Sequence, residues 1–512
     1  MEACPVPLPD NSPELIAWIN ALILEKDQWQ EKCLQIEERL RLLLHKQFGA
    51  SSEKVSPDQQ DLFNEAEQDQ PETEGEEETE SEVIVPEHTR KKRGRKPLPK
   101  HLPRVREEHD LAEDEKQCSC CGGELHRVGE DITEQLDIIP AKIRVIENVC
   151  FKYGCRSCET GIVTAKAPAQ PIPGSIATPG LLSFVASSKY VDGLPLYRQE
   201  KFILARLGVD IARATTSMWM VRCGDLVQPL INLMRDKLLE APLIHCDETV
   251  TQVLSEQGKT SKSQSYMWVQ VAEPVIGQKI ILFDYSPSRS GSVALQLLDS
   301  FKGYLQTDGY EGYAAISRQP GVINQGCWAH ARRKFDEAIK GQQDKNKTGK
   351  AHMGLTYIRK LYRIEQTIKE SPPDERKRVR QEQSLPILQQ LRQWLDKSLP
   401  QVPPKTLLGK ALHYLHNQWQ KLIRYCDEGY LRMDNNLAEN AIRPFVVGRK
   451  AWLFSNSVDG ARASANLYSL VETAKACGLE PCQYLKTVFT LLPQAQSVED
   501  IEKLLPWNQK LV

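Results

Sequence analysis

The chain has 512 residues, more than one hydrophobic core usually organises, so two to four domains are expected. Its 66 Lys and Arg against 68 Asp and Glu give a net charge of −2. That average hides an asymmetry: residues 57–82 hold twelve acids and no base, whereas 83–106 hold nine Lys or Arg and one Glu. No run approaches eighteen apolar residues, the N-terminus has no basic region ahead of its apolar residues, and fourteen cysteines are too sparse for a disulfide scaffold. Membrane-spanning, secreted and disulfide-stapled classes are therefore not expected, and the clustering of cysteines at 118–121 and 155–158 points to metal ligation in a reducing cytosol.

In chain order, Leu15, Leu22, Trp29, Ile36 and Leu43 recur at seven-residue intervals, and Ile19, Cys33 and Leu40 form most of a second row that Lys26 breaks. So narrow a stripe suits a coiled coil over 12–48, and equally an amphipathic helix packed on its own protein. Residues 51–82 hold too few apolar side chains to offset the entropy of ordering and read as a disordered acidic linker. Next come Arg90, Lys91, Lys92, Arg93, Gly94, Arg95, Lys96 and Pro97. Closely spaced cations around a glycine suit a narrow DNA minor groove, as in an AT-hook, although a solvated charge run has the same composition.

Cys118-Ser-Cys-Cys121 and Cys155-Arg-Ser-Cys158 are two C-x-x-C pairs with 33 residues between them. The spacing lets both thiolates of a pair turn onto one ion, and four thiolates match tetrahedral zinc. Cys118, Cys121, Cys155 and Cys158 are thus expected to hold a structural Zn²⁺, leaving Cys120 and Cys150 as spare thiols. Residues 180–225 read as helices: 197–207 is amphipathic, Gly208 breaks it, and 211–222 resumes after Asp210. This is a helix–turn–helix pattern whose second helix opens with Arg213, Thr215, Thr216 and Ser217, and any αα-hairpin shares it.

From Leu243 the periodicity changes. Residues 243–254, 266–271 and 279–284 read as three strands, 288–301 as a helix and 303–308 as a fourth strand, which is the order of the ribonuclease-H-like fold. Asp247 lies inside the apolar first strand, where a carboxylate is unfavourable unless paired or bound to a cation. Asp308 ends the fourth strand before Gly309, a position that equally suits a turn. A helix capped by Asp434 or Asn435 carries Glu439 about one turn in, with Arg443 nearby for phosphate. Of the 130 residues between Asp308 and Glu439, 329–424 are mostly helical by pattern, a helical insertion ahead of the last helix. Within it His330, Arg332 and Arg333 fit a solvated helix face better than a contact with DNA.

These segments resemble bacterial transposases of the insertion-sequence 66 family, whose catalytic core is of the Asp-Asp-Glu type. The resemblance is carried by His245-Cys-Asp-Glu-Thr249, Leu305-Gln-Thr-Asp-Gly-Tyr310, Cys327-Trp-Ala-His-Ala-Arg-Arg-Lys334, Asp434-Asn-Asn-Leu-Ala-Glu439 and Ala441-Ile-Arg-Pro444. Gly448-Arg-Lys450, Trp452-Leu-Phe454, Tyr468-Ser-Leu-Val-Glu-Thr-Ala-Lys475 and Leu505-Pro-Trp-Asn508 extend it over nearly the whole chain. The sequence departs from the family pattern at Cys246 and Val250 (Ala and Pro expected), Ala451 (Asn), Asn456 (Gly) and Cys482 (Tyr), and no departure removes a carboxylate.

The resemblance implies that Asp247, Asp308 and Glu439 are the catalytic acids. Cleaving a DNA phosphodiester needs an activated oxygen, a stabilised leaving oxygen and charge screening, which two Mg²⁺ (or Mn²⁺) ions held by carboxylates supply. Asp247 is expected to bridge both ions, with Asp308 and Glu439 each helping to hold one. Water then frees a 3′-OH at the element's end, and that 3′-OH attacks target DNA. The expected DNA contacts are Arg90, Lys91, Lys92, Arg93, Arg95, Lys96, Arg213, Thr216, Arg443, Arg449 and Lys450. Expected partners are the terminal inverted repeats and target DNA, a second copy of the chain or a higher oligomer, and small accessory proteins of the same element, in the bacterial cytoplasm at the nucleoid and away from membranes.

The fold expected is a multidomain α/β chain with a ribonuclease-H-like catalytic core interrupted by a helical insertion. Its parts are a coiled-coil helix (12–48), an acidic linker and basic arm (51–106), a zinc-binding domain (110–168) and a helix-turn-helix-like region (175–235). The core's first part (240–340), the insertion (341–430), the core's last part (431–478) and a C-terminal segment (479–512) follow. An alternative is a zinc-containing DNA-binding regulator that has lost catalysis, which leaves three acids in family motifs without a reason. A structure-specific nuclease on the same core would not need the paired DNA-binding modules.

Overall fold

The structure, a computed structural model, describes residues 12–48, 106, 142–154, 162–260, 263–273, 279–343 and 348–509. The acidic linker, the cations at 90–96 and Cys118, Cys121, Cys155 and Cys158 lie outside them. The chain divides into two compact units, Met1–Gln70 with Asn148–Val512, and Pro71–Glu147. Of the second unit, only residue 106 and residues 142–147 are described, and they are irregular.

Helix α1 (Ser12–Phe48) fills the span expected of a coiled coil. Its far end docks on its own protein: Leu42 is buried, the Arg41 guanidinium donates to the Gly341 carbonyl at 3.3 Å, and Glu38 accepts from the Leu407 amide at 3.0 Å. The heptad positions Leu22, Trp29, Ile36 and Leu43 stay exposed, so self-packing accounts for the end of the helix and not for the stripe. A short hairpin, β1 (Lys152–Gly154) and β2 (Ile162–Thr164), follows.

The heart of the first unit is a mixed sheet. Strands β3 (Leu243–Ser255), β4 (Gln264–Ala272) and β5 (Ile280–Ser286) form an antiparallel meander. Helix α5 (Gly291–Leu297) then carries the chain to β6 (Gly303–Gln306), which runs parallel to β3, and β7 (Val322–Gln325) runs parallel to β6. The order is β5-β4-β3-β6-β7, and β8 (Ser455–Ser457) pairs with the far end of β3. β4 is buried almost throughout, as expected of a strand covered on both faces.

Helices α2 (Pro179–Tyr190), α3 (Arg213–Leu226) and α4 (Gln228–Leu239) share one continuous core with the sheet. A helical stretch, Leu196–Leu207, precedes α3, and Gly208 at φ 77° makes the break expected there. The Arg235 guanidinium of α4 binds both Asp284 carboxylate oxygens of β5 at 2.7–2.8 Å. Helix α12 (Val458–Ala476) seals the β5 edge: the Ile281 and Phe283 amides donate to the Thr473 and Ser469 hydroxyls at 3.0 and 2.8 Å. Edge amides that would otherwise recruit another strand are thus satisfied from a helix. α12 approaches α3 so closely that a Cβ on Gly224 would lie 2.5 Å from Ala463.

A second core belongs to the insertion: α6 (Trp328–Lys340), α7 (Lys350–Thr367), α8 (Pro373–Val379), α9 (Leu385–Ser398) and α10 (Leu407–Leu422). Arg380, in the wide turn Arg380–Ser384, is wholly buried there. Its five N–H groups meet both Glu365 oxygens and the carbonyls of Tyr425, Glu428 and Leu431, all within 3.0 Å. Helix α11 (Asn436–Trp452) then returns to the sheet, with Ala438, Ala441, Ile442, Phe445 and Gly448 as its buried stripe. Helix α13 (Pro481–Leu491) packs against α2.

Two elements differ from expectation. The helix expected over 288–301 is only Gly291–Leu297 and gives way to a turn with Ser300 at φ 66°. β7 was not anticipated, because half of its four residues are the buried polar Asn324 and Gln325. α11 runs through Pro444, forgoing one ladder hydrogen bond, as far as Trp452.

Candidate active site

The parallel register of β3 and β6 aligns Leu243 with Tyr304, Ile244 with Leu305 and His245 with Gln306. The pairing ends there, two residues short of both Asp247 and Asp308. One Asp247 carboxylate oxygen accepts the Glu248 amide at 2.9 Å. Burial first, then the neighbouring charges of Glu248, Asp308 and Glu439, push the Asp247 carboxyl up to about 8 against that hydrogen bond. Residues far apart in the chain therefore bring three carboxylates into one electrostatic neighbourhood.

Asp308 is both a turn residue and a member of this group. Its carboxylate accepts the Tyr310 amide at 2.8 Å, its carbonyl accepts the Tyr414 hydroxyl at 3.0 Å, and Gly309 takes φ 88° between them. The two readings of Asp308 from sequence are one feature.

Glu439 stands in the first turn of α11. Asn435 is the N-cap position, but its buried side chain does not cap. The amide nitrogen of that side chain donates to the Cys246 carbonyl at 2.9 Å, its oxygen meets His245 Nδ1 at 3.1 Å, and the Asn435 backbone N–H donates to Cys327 Sγ at 3.2 Å. One residue thus bolts the start of α11 to β3 and to the start of α6. His245 is fully buried, and burial lowers its pKa to about 4, so the neutral ring donates to Asn435.

The Glu439 carboxylate meets α6. His330 Nδ1 lies 3.8 Å from Glu439 Oε1 and the Arg333 guanidinium 3.6 Å from Oε2, while Oε1 is buried with no hydrogen-bond partner. Arg333 keeps the solvated position expected of it while reaching Glu439, whereas His330 is partly buried against the third acid, because Asn435 pins α11 against the start of α6. Cys327, the N-cap of α6, is fully buried, and burial pushes its thiol well up.

Glu248 was not singled out from sequence. Its side chain is 1% exposed and takes the Arg289 Nε–H at 2.7 Å and the Tyr313 hydroxyl. Arg289 lies 3.7 Å over the Tyr310 ring, and the Tyr310 hydroxyl donates to the Arg289 carbonyl at 3.1 Å. Since the Tyr310 amide holds Asp308, this chain of contacts links the second acid's turn to the first acid's strand. Two consecutive acids on an apolar strand were the available signal.

Among the expected DNA contacts, Arg213 is exposed at the start of α3, Arg443 and Lys450 are exposed on α11, and Arg449 donates to the Thr249 hydroxyl at 3.1 Å. Thr216 requires correction: it is wholly buried, and its hydroxyl donates to the Arg213 carbonyl at 3.0 Å. The turn of α3 that buries Trp219 and Met220 carries Thr216 inward with them.

All three acids offer oxygen donors, one Glu439 oxygen is unpartnered, and burial, Glu248 and the other two acids together raise the Asp247 carboxyl. That donor set fits a hard divalent cation. Comparison with known proteins bears on its identity. A family model described as "Transposase IS66 family" matches residues 174–463, and "IS66 C-terminal element" matches 469–507. "Zinc-finger binding domain of transposase IS66" matches 115–159, spanning both cysteine pairs, and "Transposase C of IS166 homeodomain" matches 35–106. The protein belongs to the IS66 transposase family of insertion sequences. Similar proteins in Sinorhizobium fredii include uncharacterized protein y4jD, 33% identical over 81% of this chain and 81% of its own length. Uncharacterized protein y4qI is 33% identical over 82% of this chain and 78% of its own length. Among the described residues no helix is long and apolar enough to cross a membrane.

Proposed function

We propose that the protein is a DNA transposase that binds the terminal inverted repeats of a mobile element, frees 3′-OH ends and joins them to target DNA. The observation that carries the reading is that Asp247, raised chiefly by burial and by Glu248, also feels the charges of Asp308 and Glu439. The β5-β4-β3-β6-β7 order, with one antiparallel meander and two parallel returns, supports a ribonuclease-H-like core. Asp247, Asp308 and Glu439 would hold two divalent cations. Bound there, the ions supply Lewis acidity toward the phosphate and make the attacking oxygen a stronger nucleophile at neutral pH.

The chain's own residues do the rest. Asn435 sets the register of α11 on β3, and the Glu248–Arg289–Tyr310 contacts hold the Asp308 turn. Arg333 and His330 sit where a scissile phosphate beside Glu439 would meet them. The same site serves water first and the freed 3′-OH second, with no covalent protein–DNA intermediate. Arg213, Arg443, Arg449 and Lys450 contact DNA, and so, separately, do the cations at 90–96. Cys118, Cys121, Cys155 and Cys158 hold structural zinc, and the exposed stripe of α1 pairs two copies across two ends.

The test is incubation of purified protein with labelled repeat ends and Mg²⁺. Nicked and joined products are expected from wild type and not from Asp247→Ala. Products from both proteins, or from neither, defeat the catalytic reading.

A further inference from the structure

We propose that Cys327, His330 and Glu439 form a site for a soft divalent cation of the zinc class, bound by one sulfur, one nitrogen and one oxygen. It differs in chemistry from an all-carboxylate magnesium site, and it shares only Glu439 with the acids described above.

The geometry starts from the first turn of α6. Cys327 is the N-cap and His330 lies three residues on, so thiol and imidazole face the same side of the helix. Glu439 arrives from α11. One donor atom from each of the three lies within 4.8 Å of the other two, and the His330 Nδ1 to Glu439 Oε1 separation is 3.8 Å. That is too long for a hydrogen bond and close to the roughly 3–4 Å between two ligands of one tetrahedral ion with bonds of about 2.0–2.3 Å.

Two further observations point to a ligand. His330 Nδ1 and Glu439 Oε1 are both buried and both lack a hydrogen-bond partner, a doubly unsatisfied pair that a cation between them would satisfy. The sulfur accepts the Asn435 backbone N–H at 3.2 Å, the kind of amide contact that stabilises metal-bound thiolates. Arg333 lies on Glu439 Oε2 and leaves Oε1 free to ligate.

Sulfur and imidazole are poor ligands for Mg²⁺ and good ones for Zn²⁺, and three protein ligands leave a fourth position open. As the sulfur takes the ion, its proton leaves to solvent. Where Glu439 also serves a magnesium ion, the two cations compete for it. That competition rests on the catalytic reading, whereas the site itself does not.

The test uses the full chain with its zinc-finger segment already loaded with zinc, and Co²⁺ alone as the probe. One added equivalent is expected to produce a sulfur-to-cobalt charge-transfer absorption. Cys327→Ser is expected to abolish the band. His330→Asn, a change at a partly exposed side chain, is expected to weaken Co²⁺ binding by more than about tenfold, the least that loss of a supporting partner does. Asp247→Asn is expected to change neither. A wild-type protein without the band, a band that survives Cys327→Ser, or unchanged affinity in His330→Asn overturns the proposal. A cobalt band in a protein that cleaves no DNA with Mg²⁺ leaves this site standing and removes the catalytic reading. Cleavage without the band does the reverse.

Discussion

Replacing Asp247 by Asn should make the metal-free protein more stable at alkaline pH while removing its cleavage activity. In the folded chain the carboxyl is raised from 3.8 to about 8. Below pH 3.8 it is protonated folded or unfolded, and the site exacts no penalty. Between 3.8 and 8 only the unfolded chain ionises, so stability falls as pH rises, and above about 8 the full penalty is present. At about 1.4 kcal/mol for each pH unit the ceiling is about 6 kcal/mol. Glu248, Asp308 and Glu439 share the repulsion and relax when one charge is removed, which brings the gain from Asp247→Asn to about 2–3 kcal/mol. For a chain of this size that corresponds to a rise in Tm of about 3 °C. The assay is thermal melting in chelator at pH 5, 7 and 8.5. The gap should be about a third of its full size at pH 5 and complete at pH 8.5, and Mg²⁺ should close it by stabilising wild type alone. Parallel melting curves across the range would refute the argument, because Asp247 would then be ionised without penalty in the free protein.

Glu248→Gln forfeits the acceptor for the Tyr313 hydroxyl and the charge facing Arg289, so a loss of about 1–3 kcal/mol in melting experiments and slower cleavage of labelled ends are expected. Asn435→Ala deletes two buried side-chain bonds to β3, and should weaken Mg²⁺ binding, read by calorimetry, without unfolding the sheet. Trp29→Asp with Ile36→Asp places charge on the exposed stripe of α1, and sedimentation equilibrium should then report a monomer where wild type self-associates. Arg213→Ala should lower DNA affinity and reduce the slope of log K against log salt by about 1, whereas Thr216→Ala should leave that slope unchanged.

What local pattern carries was legible beforehand: the three strands of the meander, the break at Gly208 and the helical character of the insertion all follow from periodicity and punctuation. The acids were legible as motif positions, and Asp247 also as a carboxylate misplaced on an apolar strand. Less visible was whatever depends on which distant element a side chain meets. Asn435 has the composition of a cap and instead spans to Cys246 and His245, 189 and 190 residues away. Thr216 sits among exposed polar neighbours and turns inward, because the helix phase that buries Trp219 includes it. His330 looks like part of a solvated face until α11 is laid against it. β7 is not legible because half of it is the polar pair Asn324 and Gln325, whose burial no hydropathy pattern announces.

The clasp made by Arg380 bears on the order in which the molecule comes into being. Asp247 rides on β3 and Asp308 on the turn just past β6, whereas Glu439 rides on a helix whose approach runs through the carbonyls of Tyr425, Glu428 and Leu431, all gripped by that one guanidinium. A chain still emerging from the ribosome holds two of the acids without the third. It gains the third only after the helices of the insertion have condensed around a buried cation. Completion of the acidic triad is thereby tied to completion of the fold, and an unfinished molecule cannot present it.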